Sequence, residues 1–149
     1  MNNYLPLICG ITGPEISNLE TQFIKSFNPW GVIIFERNCK SKNQLKELTD
    51  ALRAITHHHL PILIDQEGGR VSRINYSNSI VFQSAKIFGD ILEKNIELGS
   101  HALKLHSTIM ASSLKELGIN INTIPVLDIP SKNESGVIGD RSYSYHKEL

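Results

Sequence analysis

"LPILIDQEGGRV", residues 60–71, decides how the rest of the chain is read. Its apolar half does not alternate with polar residues, as a half-buried strand would, so it reads as a strand covered on both faces. It ends abruptly in Asp65-Gln66-Glu67, and Gly68-Gly69-Arg70 follows at once. Parallel α/β folds present their functional groups at the carboxyl ends of such strands. An extended backbone points Asp65 and Glu67 to the same side, roughly 6.5 Å apart along the chain. Gly68 and Gly69 permit positive φ and close backbone approach. Arg70 and Arg73 come next, each able to fork onto a carboxylate or donate to ligand oxygens. On the residues alone, a tight turn with a structural ion pair and a ligand-binding loop both stay open. A glycosidase carboxylate pair is a third reading, since such pairs stand about 5–9.5 Å apart. Adjacent carboxylates on one strand more often bind hydroxyls or cap a loop.

Three more runs share this character: LPLICGI (5–11), WGVIIFE (30–36) and INTIPVLDI (121–129). Helical patterns lie between them. Thr12-Gly-Pro-Glu15 reads as a capping box, with Ile16, Leu19, Phe23 and Phe27 following at helical spacing. Ser41-x-x-Gln44 is a second box, ahead of Leu45, Leu48, Leu52 and Ile55. A short helix is expected near 84–92. A longer one is expected from Asn95 to Leu117, with Ile96, Leu103, Met110 and Leu117 seven apart and Gly118 ending it. The order predicts an α/β fold of about four parallel strands with right-handed crossovers, either an open doubly wound sheet or part of an eightfold barrel. Both put Glu36-Arg37-Asn38, Asp65-Gln66-Glu67 and Asp128 at strand ends.

At 149 residues the chain has room for one ordinary domain, 1–149, with a real core. Fifteen basic residues balance fifteen acidic ones, which argues against nucleic acid or an anionic membrane as partner and for a neutral polar ligand. The start, MNNYLPLICGITG, lacks a basic flank and is too short in its apolar run for a signal or a membrane span. Cys9 and Cys39 have no metal-ligand spacing and are expected reduced, in a cytoplasmic protein. DQEGGR is neither a dinucleotide nor a phosphate loop. The six histidines do not converge. His57-His58-His59 reads as a solvated connection before the third strand, and His101 and His106 lie about 140° apart around a helix, a poor metal pair. His146 falls in a polar tail. GVIGDRSYS (136–144) offers Asp140 and Arg141, either a solvated loop pair or a second arm reaching the Asp65 end. No nucleophile context such as G-x-S-x-G occurs. No metal and no cofactor is implied.

"GVIIFERNC" (31–39), "LPILIDQEGGRVSRI" (60–74), "NTIPVLDI" (122–129) and "GVIGDRSYS" resemble, in order, the signatures of family 3 glycoside hydrolases. Within that family they are similar to the bacterial β-N-acetylhexosaminidases of peptidoglycan recycling. The resemblance implies the N-terminal half of a (β/α)₈ TIM-type barrel. It also implies release of N-acetylglucosamine, with retention, from β-1,4-linked peptidoglycan fragments that carry anhydro-N-acetylmuramic acid. Carried over by motif, Asp65 accepts from sugar hydroxyls, Arg73 and Arg141 donate to the sugar, and Glu67, Gly68, Gly69 and Arg70 brace the loop. The family's Lys-His-Phe-Pro-Gly-His-Gly segment, Asp-Ser-His loop and Ser-Asp nucleophile motif do not occur in this sequence, so no residue is assigned a catalytic role. A retaining mechanism needs both nucleophile and proton donor. The family's usual proline is also missing near Gln83, which bears on that short loop's conformation. An eightfold barrel runs to about 250 residues. The expectation is therefore a truncated or split half, inactive alone, prone to associate, and paired with a missing C-terminal half or left as a non-catalytic remnant.

Overall fold

The computed structural model describes residues 4–56, 59–130 and 136–146. Its elements are β1 (Leu5–Gly10), α1 (Asn18–Phe27), β2 (Pro29–Ile34), α2 (Lys42–Ile55), β3 (Ile62–Ile64), α3 (Ala85–Lys94), α4 (Ile96–Glu116) and β4 (Ile121–Asn122). Single 3₁₀ turns form at Glu36–Asn38 and Gly139–Arg141. The strands pair in chain order, β1-β2-β3-β4, each parallel to the next. That order settles the two sequence alternatives. A doubly wound sheet reverses its strand order partway, whereas right-handed crossovers that never reverse carry all helices to one face, as in the first half of a barrel.

The packing follows that topology. Val32, Ile34, Ile62 and Ile64 point one way and are fully buried against Leu45, Leu48 and Leu52 of α2 and Met110 and Leu114 of α4. Each such side chain stabilises the fold by about 1.5–3 kcal/mol. The other face carries Ile8, Gly31, Ile33 and Leu63. A Cβ on Gly31 would stand 3.1 Å from the Leu63 side chain, so the glycine makes room for its neighbour on β3. Burial on both faces holds for β3 and fails for β1, where Leu5, Leu7 and Ile8 are exposed. β1 forms one border of the sheet and is covered along one side only.

Four sequence expectations need correcting. The capping box of α1 is Ser17-x-x-Glu20, five residues later than Thr12-x-x-Glu15, because Gly13-Pro14 holds the preceding segment in a bend. At Ser41 the box is half-made: its hydroxyl accepts from Gln44 N, while Gln44 Oε1 accepts from Lys40 N. The fourth strand spans two residues rather than nine, and Pro125 within that run supplies no ladder donor. The stripe on α4 is also buried only at its C-terminal end. Met110 and Leu117 are buried, Leu103 is half-buried and Ile96 is 69% exposed. A 21-residue helix is roughly 31 Å long and overshoots a three-residue strand. Gly118 ends it with φ +76°, as Gly118 N donates to Lys115 O and Ile119 N to Leu114 O, a Schellman closure.

Glu20 locks the β1–α1 connection. Its carboxylate accepts from Thr12 N and Oγ1 at 2.7 and 2.9 Å and from Ser17 N and Oγ at 2.8 and 2.6 Å. Burial alone would raise this carboxyl, but the Ser17 and Thr12 hydrogen bonds outweigh it and draw it from 4.5 down to about 2. A depressed carboxyl contributes stability above its unfolded value and loses it as pH falls through its folded one. Glu20→Gln is therefore expected to lower stability at pH 7 and to flatten the loss between pH 4.5 and 2. Urea denaturation of both proteins across that range checks it; parallel pH profiles would contradict it.

Candidate functional site

The carboxyl end of β3 is organised by a residue that the sequence reading passed over. Strand alternation turns Gln66 to the same side as Ile62 and Ile64, and its side chain is fully buried. A buried amide must find partners. Its Oε1 accepts from Arg73 N at 2.9 Å and Ile74 N at 3.1 Å, and its Nε2 donates to Ser72 Oγ at 2.7 Å. The loop is thereby folded back so that Arg73 returns to the strand it left. Gln66's backbone is held from the other side by Asn122, which accepts from Gln66 N at 3.0 Å and donates to Gln66 O at 2.8 Å. The side chain of Asn122 continues the β3–β4 pairing after the ladder stops.

Asp65 points to the opposite face, with Leu63. Its Oδ2 accepts from Arg73 Nη2 at 2.9 Å and its Oδ1 from Thr123 Oγ1 at 2.8 Å. Past Glu67 the chain turns at Gly68 and Gly69, whose φ values are +90° and +59°. The turn closes on Val71 O, which accepts from Glu67 N and Gly68 N, and Gly69 N donates to Phe82 O. A Cβ on Gly68 would fall 2.2 Å from Gln83 O, so space as well as φ requires glycine there.

Two ion pairs of opposite polarity join this loop to the 136–141 segment. Arg70 Nε donates to Asp140 Oδ1 at 2.9 Å, and its Nη2 donates to the carbonyls of Gly136, Val137 and Ile138. In return, Arg141 grips Glu67 with both Nε and Nη2, each at 2.8 Å. Asp140 thus pairs with Arg70, across the loop. The two clamps differ in weight. The Arg70 and Asp140 side chains are 47% and 45% exposed, a setting worth about 0–1 kcal/mol. Glu67 is 9% exposed and held at two points, with Arg141 25% exposed, so this pair is better shielded and carries more weight than the Arg70–Asp140 one. The Glu67 hydrogen bonds also push the Arg141 guanidinium above its ordinary value.

Asp65, Glu67, Arg73, Thr123, Asp128 and Arg141 line one cavity of about 520 Å³ at the carboxyl ends of β3 and β4. Gly68, Gly69 and Arg70 follow Glu67 in the loop and are not among the cavity's lining residues. An ionised carboxylate has about four acceptor positions, and Asp65 uses one for Arg73 and one for Thr123, leaving room for hydroxyl donors. Arg141 binds Glu67 along one edge and keeps its remaining N–H groups. Arg73 Nε is buried with no acceptor among the described residues. The arrangement suits gripping a polyhydroxylated ligand, and both strand-end carboxylates are already committed to arginines. Among the described residues no group of three His, Cys, Asp or Glu could hold a metal. His57 and His58 lie outside the described residues. His101 is exposed, and His106 sits with ring centroids 5.4 Å from Phe82 and 4.4 Å from Phe88, where burial lowers its pKa. Cys9 and Cys39 are free thiols, and burial, with Glu36 adding to it, pushes Cys39 up to about 12. No helix among the described residues is long and apolar enough to cross a membrane.

Known proteins resemble this chain in sequence and in fold. Residues 9–149 match the family described as "Glycosyl hydrolase family 3 N terminal domain". A beta-hexosaminidase of Xanthomonas axonopodis pv. citri is 33% identical over 143 residues, covering 96% of this chain and 42% of that protein. A beta-hexosaminidase of Nitrosomonas eutropha is 35% identical over 140 residues, covering 93% and 39%. The structure of NagZ from Neisseria gonorrhoeae in complex with N-trifluoroacetyl-D-glucosamine superposes with a TM-score of 0.89 at 29% identity, covering 95% of this chain and 42% of that one. The chain therefore spans about two-fifths of the length of these relatives.

Gln66 is expected to matter for stability out of proportion to its neutral side chain. Gln66→Met keeps the volume and leaves two buried N–H groups, those of Arg73 and Ile74, without an acceptor. Each such loss costs about 1–3 kcal/mol, so unfolding free energy should fall by on the order of 3 kcal/mol. Chemical denaturation measures this, and a change well under 1 kcal/mol would show that the amide is not the organiser of the loop.

Proposed function

The chain belongs to the glycosyl hydrolase family 3 N-terminal domain family, and on that premise we propose that it forms the sugar-holding half of a β-N-acetylhexosaminidase. The substrate is a peptidoglycan fragment with N-acetylglucosamine at its nonreducing end, linked β-1,4 to anhydro-N-acetylmuramic acid, and release proceeds with retention. Asp65 accepts from sugar hydroxyls, and Arg73 and Arg141 donate to the sugar. Glu67, Gly68, Gly69 and Arg70 hold the loop that presents them. The observation that carries this reading is the convergence of Asp65, Arg73, Thr123 and Arg141 on one strand-end cavity. The bound N-trifluoroacetyl-D-glucosamine of the Neisseria protein supports the same ligand class.

Retention requires a nucleophilic carboxylate and a proton donor, in retaining enzymes about 5–5.5 Å apart across the bond that breaks. Asp65 and Glu67 serve as ligand grip and arginine anchor, so neither takes those parts. Nucleophile and acid/base come from the remaining βα units of the barrel, on the same polypeptide or on another. The free thiols fit a reducing compartment, and we place the protein in the cytoplasm.

The test is hydrolysis of a chromogenic N-acetyl-β-glucosaminide by the 149-residue chain, with and without the complementary half of the barrel. Release is expected only with that half present. In the active mixture, Asp65→Ala should lower kcat/KM by about 10–100-fold or more, the worth of hydrogen bonds to a charged acceptor. Release by the chain alone would contradict the division of roles. Silence from halves shown to associate would leave a non-catalytic remnant.

A further inference from the structure

One face of α3 holds three contacts that the site does not otherwise explain. Lys86, Gly89 and Glu93 stand at i, i+3 and i+7, hence on one side of the helix. The Tyr143–Tyr145 stretch lies along them. Lys86 Nζ sits 5.7 Å from the centre of the Tyr145 ring, and Ser144 Oγ donates to Glu93 Oε1 at 3.1 Å. Between them, a Cβ on Gly89 would come within 1.7 Å of Tyr143 O and 2.6 Å of its carbonyl carbon. Both atoms are backbone, so no side-chain rotation relieves the contact. Helix interiors disfavour glycine relative to alanine, and here close approach of a second backbone requires it. Just upstream, Ser142 is buried with its Oγ 2.8 Å from Asp128 O, which ties the same stretch to the segment after β4. Arg141 is the preceding residue and its guanidinium is the one that grips Glu67 in the cavity.

We propose that this face of α3 is the seat that sets the reach of Arg141 into the sugar site, and that Gly89 is the positioning residue within it. The inference rests on the sugar-site reading given above. Gly89 touches neither ligand nor Arg141; it acts by admitting the Tyr143 carbonyl. Any side chain at position 89 drives that carbonyl away by more than about 1 Å, and a displacement of that size in a positioning element can cost about 100-fold in rate. The sequence pattern offers an opposing effect that makes the test sharp. Gly89→Ala raises intrinsic helix propensity, so α3 itself is not weakened.

The first measurement is amide hydrogen exchange in wild type and Gly89→Ala, with global unfolding followed in parallel. The expected result is lost protection across 141–145 with global stability unchanged or raised. Retained protection there overturns the proposal. The second is N-acetylglucosamine affinity, with the complementary barrel half present, for wild type, Gly89→Ala, Arg141→Ala and the double variant. Gly89→Ala should weaken binding at least about tenfold, the worth of one charge-assisted hydrogen bond, and should add nothing once Arg141 is gone. Full additivity would mean a general structural role and overturn the positioning claim. If Gly89→Ala fails to fold, Ser144→Ala carries the same test in milder form, and unchanged exchange and affinity in that variant overturn the seat. If wild type binds no sugar, the functional reading falls while the exchange result still decides the seat.

Discussion

The carboxyl end of the sheet depends on burying one amide without leaving any of it unsatisfied. Gln66 lies on the core side of β3, where an unpaired donor or acceptor is costly. The chain meets that demand locally, by bending back so that Ser72, Arg73 and Ile74 supply its partners. Arg73 is consequently delivered to Asp65, and the pocket acquires its first charged pair as a by-product of satisfying the core. Asn38 does the same for the neighbouring loops. Fully buried, it accepts from Phe35 N and donates to the carbonyls of Ile11 and Gly13, stitching the ends of β1 and β2 together.

From that anchor the site is built outward. The glycine turn comes next, closed against Phe82 and Gln83. Then come the two clamps, of which the Glu67–Arg141 pair is well shielded and bidentate while Arg70–Asp140 is half-exposed. Energetic weight follows shielding. Arg70 contributes chiefly by collecting the carbonyls of 136–138, which gives a segment with little regular structure a fixed place. Asp65 and Arg73, 23% and 29% exposed, line the cavity in positions that these hydrogen bonds hold in advance.

The same strand order that gathers the site leaves apolar surface at both borders of the sheet. On the β1 side, Leu5, Leu7 and Ile8 are exposed, and α1 adds Leu19, Phe23 and Phe27 one turn apart, with the two phenyl rings 4.9 Å apart. On the β4 side, α4 exposes Leu98, Leu105 and Ile109 along one stripe. Both the sheet layer and the helix layer thus end in surface of the kind that further βα units cover in a closed barrel.

Much of this was legible along the chain. Unbroken apolar runs separated by helical periodicity specify parallel strands with crossover helices, because burial on two faces and on one stripe leave different spacings. The charged strand ends and the double glycine marked the loop that matters. Strand order, Gln66, Thr123, Asn122 and the pairing of each arginine did not show. Asp65 and Arg73 are eight residues apart, but Glu67 and Arg141 are separated by 74, and Arg70 and Asp140 by 70. Which guanidinium meets which carboxylate follows from where two loops end after the strands have paired, and from the space at Gly89 that lets one of them lie against α3. The sequence by itself determined the elements and the kinds of group at their ends, since those depend on local spacing and chemistry. Only the tertiary structure decided the partners, because charge pairing is non-directional along the chain and is resolved by packing.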